Sequence, residues 1–76
     1  LDLLLFPDPV SDYLHLENIS GSGNKQMFVY DYSGKFILNK ETSSDYFTID
    51  VSDLEESLYF IKIYCQNKVI IKKFIL

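Results

Sequence analysis

The sequence predicts an all-β protein in which about seven short strands form a sandwich of two antiparallel sheets. Apolar and polar residues alternate with a period of two, and turn residues interrupt this alternation about every eight to twelve positions. No stretch carries a helical pattern of useful length. The chain has 76 residues, of which 47% are hydrophobic, so one small domain with its own core is attainable.

The first half of the chain predicts four strands. The stretch LDLLLFPDP predicts a short apolar strand that stops at Pro7 and Pro9, because proline has no N–H to donate to a sheet. DYLHLENI alternates, with Leu14 and Leu16 on one face. After the loop SGSGN, KQMFVYDY and KFILNKE predict a hairpin. Its turn contains Gly34, which we expect at positive φ.

The second half predicts three more strands, YFTIDV, LYFIKIYC and KVIIKKFIL, separated by the turns TSSD, SDLEES and QN. Leu54 and, five residues later, Tyr59 resemble a tyrosine corner, in which the phenol hydroxyl bonds to the backbone a few residues upstream. The alternative is that Tyr59 is simply an aromatic core residue.

The inward faces of these strands predict the core. Its expected members are Leu14, Leu16, Met27, Val29, Ile37, Phe47, Ile49, Leu54, Tyr59, Ile61, Ile63, Val69 and Ile71.

Charge and composition argue against several classes of protein. All seven basic residues are lysines, and the net charge is −4, which disfavours nucleic-acid binding and electrostatic attachment to an anionic membrane. No apolar run approaches the roughly 18 residues of a membrane helix, so no membrane insertion is expected. The first residue is Leu1 and not an initiator Met, so we expect a piece cut from a longer protein. No basic n-region precedes Leu1, so no signal peptide is expected in this stretch.

The side chains that could carry chemistry do not form a site in the sequence. His15 has only Glu17 as a neighbour on its face, whereas a structural metal site needs three or four ligands, so a surface histidine is expected. Cys65 is the single cysteine and continues the apolar face of its strand, which favours a small buried hydrophobe over a nucleophile.

Three further patterns have simpler explanations than a functional site. SGSG lacks the residues that follow a phosphate-binding loop, and tyrosines are common on sheet faces. The acids near residues 50–56 favour a solvated turn over a calcium loop. They are Asp50, Asp53, Glu55 and Glu56. We therefore expect no enzymatic activity, no metal and no cofactor.

Three motifs, read in order, resemble one family. FPDPVSDYLHLE resembles its opening motif, MFVYDYSGKFI its central motif, and IDVSDLEESLYFIKIY with KVIIKKFIL its closing motif. The family is the type A C-terminal sorting domain of the type IX secretion system, and the resemblance covers about residues 5–76. The chain departs from the usual pattern at Asp8, where the family has Asn, and at Ser57, where it has Gly.

The resemblance implies an immunoglobulin-like fold and a role as an address label. The domain would be the last part of a protein exported by Gram-negative bacteria, with its cargo covalently attached on the N-terminal side. On this basis residues 1–76 form a single sorting domain, with Leu1 to about Leu4 as possible linker. An outer-membrane translocon would read the domain in the periplasm. A sortase-like peptidase commonly removes it, and the cargo is released or attached to the cell surface.

The residues expected to be recognised are the family's motif residues that have no evident core role, together with the end of the last strand. They are Pro7, Asp8, Pro9, Gly34, Lys35, Lys72, Lys73, Phe74, Ile75 and Leu76. The last strand has too many apolar residues for a free tail, so we expect Val69 to Ile71 to anchor it and Lys72 to Leu76 to present the signal. The prolines could equally be strand stops, and the lysines could guard a sheet edge against aggregation.

A rival from another class remains at this point. An immunoglobulin- or fibronectin-like accessory module that binds carbohydrate or protein would show the same alternation of strands.

Overall fold

The computed structural model describes residues 4–6, 12–17, 23–65 and 68–76, and these residues are all-β, without a helix. The strands are β1 (Leu4–Phe6), β2 (Tyr13–Glu17), β3 (Lys25–Asp31), β4 (Phe36–Thr42), β5 (Phe47–Asp50), β6 (Leu58–Cys65) and β7 (Lys68–Ile75). β2, β3, β5 and β6 lie within stretches of alternating residues, because alternation places one face of a strand against a core.

The strands form two antiparallel sheets. One has the order β1-β2-β5 and the other the order β4-β3-β6-β7. The hairpin β3–β4 contains a register shift between Val29 and Tyr30, which leaves Ile37 as the additional residue of a bulge. Gly34 in the turn of this hairpin has φ 88°, as predicted. Within the described ranges, no helix could span a membrane.

Residues from both sheets share one core. Leu14, Leu16 and Ile49 come from the three-stranded sheet, and β3, β6 and β7 supply the buried residues of the other sheet. The buried members of this cluster are Leu14, Leu16, Met27, Val29, Ile49, Val51, Tyr59, Ile61, Ile63 and Phe74, and the partly buried Ile37, Phe47 and Leu54 pack against it. Most of the predicted core is therefore confirmed.

Two predicted core residues are wrong. Val69 and Ile71 are 52% and 60% exposed, whereas Phe74 is 4% exposed. The pairing of β7 with β6 explains the reversal, because Ile70 lies opposite Ile63 and Phe74 lies opposite Tyr59. Val69, Ile70 and Ile71 are all apolar, so the alternation of this segment does not fix its phase, and the register with β6 decides which face is buried.

The side of the four-stranded sheet that is turned away from the core is called the outer face. It carries aromatic and aliphatic side chains together with two lysines. Its residues include Phe28, Tyr30, Phe36, Phe60, Lys62, Tyr64, Val69, Ile71, Lys73 and Ile75.

Lys25 is a buried charged residue that the sequence did not point to. Its side chain is completely buried on the core side of β3. Its Nζ donates to the backbone oxygens of Ser43 and Ser44 at 3.4 and 3.3 Å and to Asp45 Oδ1 at 3.4 Å. Lys25 therefore ties the β4–β5 connection to the sheet, which satisfies the polar head of a buried lysine.

Several sequence predictions fall on residues outside the described ranges. These are Pro7, Asp8 and Pro9, most of the loop SGSGN, and the turn QN.

Candidate recognition site at one end of the four-stranded sheet

One row of paired residues crosses three strands at the end of the four-stranded sheet. Asp31 of β3 lies opposite Tyr59 of β6, and Tyr59 lies opposite Phe74 of β7. Neighbouring strands are about 4.8 Å apart, so Asp31 and Phe74 are separated by only about 10 Å. The β3–β4 turn, the start of β6 and the end of the chain therefore meet at one place, which we call the C-terminal end of the sheet.

The β3–β4 turn is held by one carboxylate. Asp31 Oδ1 accepts hydrogen bonds from Ser33 N at 2.9 Å, Ser33 Oγ at 2.7 Å and Lys35 N at 2.9 Å. The hydrogen bond from the Ser33 hydroxyl, followed by that from the Lys35 backbone, holds the pKa of Asp31 below its usual value. Gly34 N donates to Asp31 O at 3.0 Å. The turn thus presents exposed Lys35 from an ordered backbone.

Gly34 is required here by its backbone conformation. A Cβ at this position would meet no atom within 4 Å, so space does not exclude a side chain. Its φ of 88° lies in a region that residues with a side chain rarely adopt.

Tyr59 connects the corner before β6 to the end of β7. Its hydroxyl donates to Glu55 O at 2.6 Å, four residues upstream, which is the hydrogen bond of a tyrosine corner. Its ring stacks on Phe74, with ring centroids 5.5 Å apart. Burial, followed by the charges of Glu55 and Asp31, raises the pKa of Tyr59.

The raised pKa of the Tyr59 hydroxyl predicts how the stability of the domain changes at alkaline pH. The folded-state pKa is raised above the ordinary value of 10.0, so its contribution to stability is fully present below pH 10.0 and is lost as the pH rises through the folded-state value. Tyr59→Phe removes this titration. It is expected to cost about 0.5–1.5 kcal/mol at pH 7, because a hydrogen bond is lost, and to lose less stability than the wild type above pH 10.

Urea unfolding of both proteins from pH 7 to pH 11 measures this difference. Tyr13→Phe is the control, since that side chain is 51% exposed. Parallel pH profiles for the wild type and Tyr59→Phe would show that this phenol does not contribute to the alkaline loss.

The last five residues differ in their exposure. Lys72 lies opposite Ile61 and Lys73 opposite Phe60, so the two lysines are on opposite faces of β7, and both are exposed. Phe74 is buried and belongs to the core, although the sequence placed it in the presented part of the strand. Ile75 is 54% exposed.

The end of the chain is fixed to the neighbouring strand. Leu76 N donates to Ser57 O at 2.9 Å, and the partly buried Leu76 side chain packs against the core. The terminus is thus ordered by a backbone hydrogen bond and by apolar contact.

A shallow pocket of about 350 Å³ lies beside this end of the sheet. Both charged signs line it: Lys35 faces the carboxylates of Asp31, Asp53 and Glu55, and Leu54 and Tyr59 add apolar surface. Among the described residues, no three potential ligands come together to hold a metal ion. The arrangement can offer hydrogen bonds and charge to a partner.

The structure brings five of the predicted recognition residues to this end of the sheet, namely Gly34, Lys35, Phe74, Ile75 and Leu76. Lys73 and Lys72 lie one and two residues before Phe74 on β7. Sequence reasoning missed the part played by Asp31. The signal was present as Asp31-Tyr-Ser-Gly34, since aspartate commonly bonds to the backbone two residues on in a turn.

The other candidate side chains lie elsewhere. His15 is partly buried, and its Nδ1 lies 3.1 Å from Thr48 Oγ1 and 3.2 Å from Tyr46 Oη, so it is less exposed than predicted. Cys65 is buried, as predicted. Asp50, Asp53, Glu55 and Glu56 are exposed, in keeping with a solvated turn.

The described residues form an all-β domain in which motif residues from the β3–β4 turn and from the end of β7 lie at one end of one sheet. Residues 4–76 match the family model described as the secretion system C-terminal sorting domain, and the chain belongs to this family. It is a C-terminal sorting signal for type IX secretion, a function that this match supports over that of an accessory binding module. A comparison with curated proteins found no match.

Proposed function

We propose that the outer-membrane translocon of the type IX system recognises this domain through the C-terminal end of the four-stranded sheet. The domain then directs a covalently attached N-terminal cargo from the periplasm to the cell surface or the medium. A sortase-like peptidase is the proposed enzyme that removes the domain afterwards. Residues 1–76 act as a single sorting domain, with the first four or so residues as linker to the cargo.

One observation carries this proposal. Motif residues that are more than 35 positions apart in the sequence, Gly34 and Lys35 on the one side and Ile75 and Leu76 on the other, meet at one end of one sheet. A partner that contacts this end reads both motifs at once. Lys35 at this end and Lys72 and Lys73 just before it on β7 are exposed, so they can form charged contacts without disturbing the core.

The domain is proposed to have no catalytic activity of its own. In support, its family is one of sorting signals. The chemistry of cleavage and attachment is assigned in this proposal to the partners. An immunoglobulin-like sandwich is the proposed fold. In support, the strand orders β1-β2-β5 and β4-β3-β6-β7 differ from the constant immunoglobulin arrangement only by the transfer of β4 to the second sheet.

The test is a double substitution in a secreted reporter that carries the complete chain. Lys72→Gln with Lys73→Gln is expected to reduce the secreted fraction by roughly tenfold or more, since losing charged contacts at a recognition surface costs on the order of 1–3 kcal/mol. The melting temperature should stay close to that of the wild type, because both side chains are exposed.

The matched control removes the same charge elsewhere. Lys40→Gln with Lys68→Gln also replaces two exposed lysines, at positions away from the C-terminal end of the sheet. Secretion of this variant at the wild-type level would tie the defect to position. If the Lys72 and Lys73 variant folds normally and is secreted normally, the two lysines are not part of the signal.

A further inference from the structure

The outer face of the four-stranded sheet is a broader surface that shares Lys73 and Ile75 with the proposed signal, and its composition is unusual. Val69, Ile71 and Ile75 are 52%, 60% and 54% exposed, and Phe36 is 50% exposed. The strand register places these side chains on the same side of one sheet. A contiguous exposed apolar surface on a small domain marks a site of interaction.

The aromatic part of this face is already ordered. The Phe28 ring meets Tyr64 edge-on at a centroid distance of 5.6 Å, and Phe36 lies 6.4 Å from Phe28 and 6.1 Å from Tyr30. These contacts fix the rings before any partner arrives, so little side-chain entropy is lost on binding. Aromatic residues are enriched at the centres of protein interfaces.

Charge on this face is of one sign over most of its width. The protein has a net charge of −4, yet the charged residues of β6 and β7 are Lys62, Lys68, Lys72 and Lys73. Lys62 and Lys73 lie on the outer face itself. Lys62 lies opposite both Phe28 and Ile71, and its Nζ is 5.8 Å from the centroid of the Tyr64 ring. Among the described residues of the outer face, Glu41 carries the one carboxylate. It lies on the far edge strand, where it accepts a hydrogen bond from Gln26 at 3.2 Å.

This pattern selects among the possible occupants. Among the described residues, a second copy would bring two more lysines, Lys62 and Lys73, and one more carboxylate, Glu41, so at least two of the four lysines would be covered without an opposite charge, which is costly. An anionic membrane would attract the lysines but repel a domain with a net negative charge. A protein surface that places carboxylates among apolar side chains satisfies both features of the face.

We propose that the outer face is a docking surface for a partner protein with an acidic, apolar surface, and that Lys62 is its central charged contact. This inference rests on the proposed function only in that the partner is sought in the export machinery. This surface lies on the side of the sheet away from the core. It covers the four strands and is therefore larger than the recognition site proposed at the C-terminal end of the sheet.

The experiment uses the reporter with the complete chain, in cells that export it. A photo-crosslinking p-benzoylphenylalanine replaces Ile71 in one variant and the exposed Tyr13, on the three-stranded sheet, in the control. The crosslinked protein is identified by mass spectrometry. An adduct with one protein from Ile71 and not from Tyr13 is the first expected result.

Charge reversal then tests the chemistry of the contact. Lys62→Glu is expected to reduce the Ile71 adduct by about tenfold or more, and Lys62→Gln by less, since reversal adds repulsion to the loss of attraction. Lys40→Glu, an exposed lysine on the core side of β4, should leave the adduct unchanged. Replacing a carboxylate of the identified partner with lysine should restore the adduct to Lys62→Glu. Circular dichroism confirms that each variant is folded.

Several outcomes would overturn the proposal. One is an adduct between two copies of the domain, and another is binding of the purified fusion to phosphatidylglycerol vesicles that Lys62→Glu abolishes. The proposal would also fail if the Ile71 adduct were insensitive to Lys62→Glu, or if Ile71 gave no adduct above the Tyr13 control.

Secretion is measured in the same cells. Normal export without an adduct would refute the docking surface alone, whereas an adduct that persists when Lys72 and Lys73 variants export normally would refute the proposed signal alone.

Discussion

Replacing Ile61 with alanine is expected to lower the free energy of unfolding by roughly 2–5 kcal/mol. Ile61 is completely buried in the middle of β6, between β3 and β7. The loss combines the transfer free energy of the removed methyl and methylene groups with the cost of the cavity that remains. A chain of this size has a net stability of about 4–11 kcal/mol, so the variant approaches the limit at which it stays folded.

Ile71→Ala is the matched control for this experiment. It makes the same chemical change on the adjacent strand, but Ile71 is 60% exposed, so an effect within about 0.5 kcal/mol is expected. Urea unfolding followed by circular dichroism measures both variants. Equal losses for the two isoleucines would contradict the assigned faces of β6 and β7.

Phe74→Ala is expected to cost roughly 3–5 kcal/mol, although the residue is only two positions from the end of the chain. The ring is buried and stacks on Tyr59, and this contact joins the last strand to the tyrosine corner. Ile75→Ala is the control, because Ile75 is 54% exposed, and it is expected to change stability far less.

The Phe74 variant also separates structure from recognition at the chain end. Export of Phe74→Ala should fall in step with the folded fraction, since its side chain is not on the surface. Measuring the melting temperature and the secreted fraction together distinguishes this from a defect in recognition. If Phe74→Ala is as stable as Ile75→Ala, the stacking with Tyr59 contributes little and β7 is held by its backbone hydrogen bonds.

The last strand therefore presents different side chains on its two faces. Ile70 and Phe74 face the core, and Lys73 and Ile75 face outward from the same strand. Alternation along a strand makes this division possible without any loop or extra segment. The sequence predicted that Val69 to Ile71 anchor the strand and that the following residues present the signal. In the structure, buried and exposed side chains instead alternate between the two faces of the strand.

The sequence by itself determined the all-β class, the approximate bounds of the strands, the conformation of Gly34 and most of the core. These features depend on local chemistry. Strict alternation defines the faces of β2, β3 and β6, and the pair Asp31 and Gly34 defines a turn. The family also followed from the order of the three motifs along the chain, which does not depend on how the strands pair.

The tertiary structure alone decided three features. The phase of β7 was ambiguous because three apolar residues follow one another, and only the pairing with β6 turned Ile70 inward and Ile71 outward. The burial of Lys25 depends on the β4–β5 connection, which supplies its acceptors from 18 to 20 residues away. The meeting of Lys35 and Leu76 at one end of a sheet depends on the strand order β4-β3-β6-β7. Contacts between different segments of the chain set all three, and the pattern of residues within one segment does not determine how that segment pairs with another.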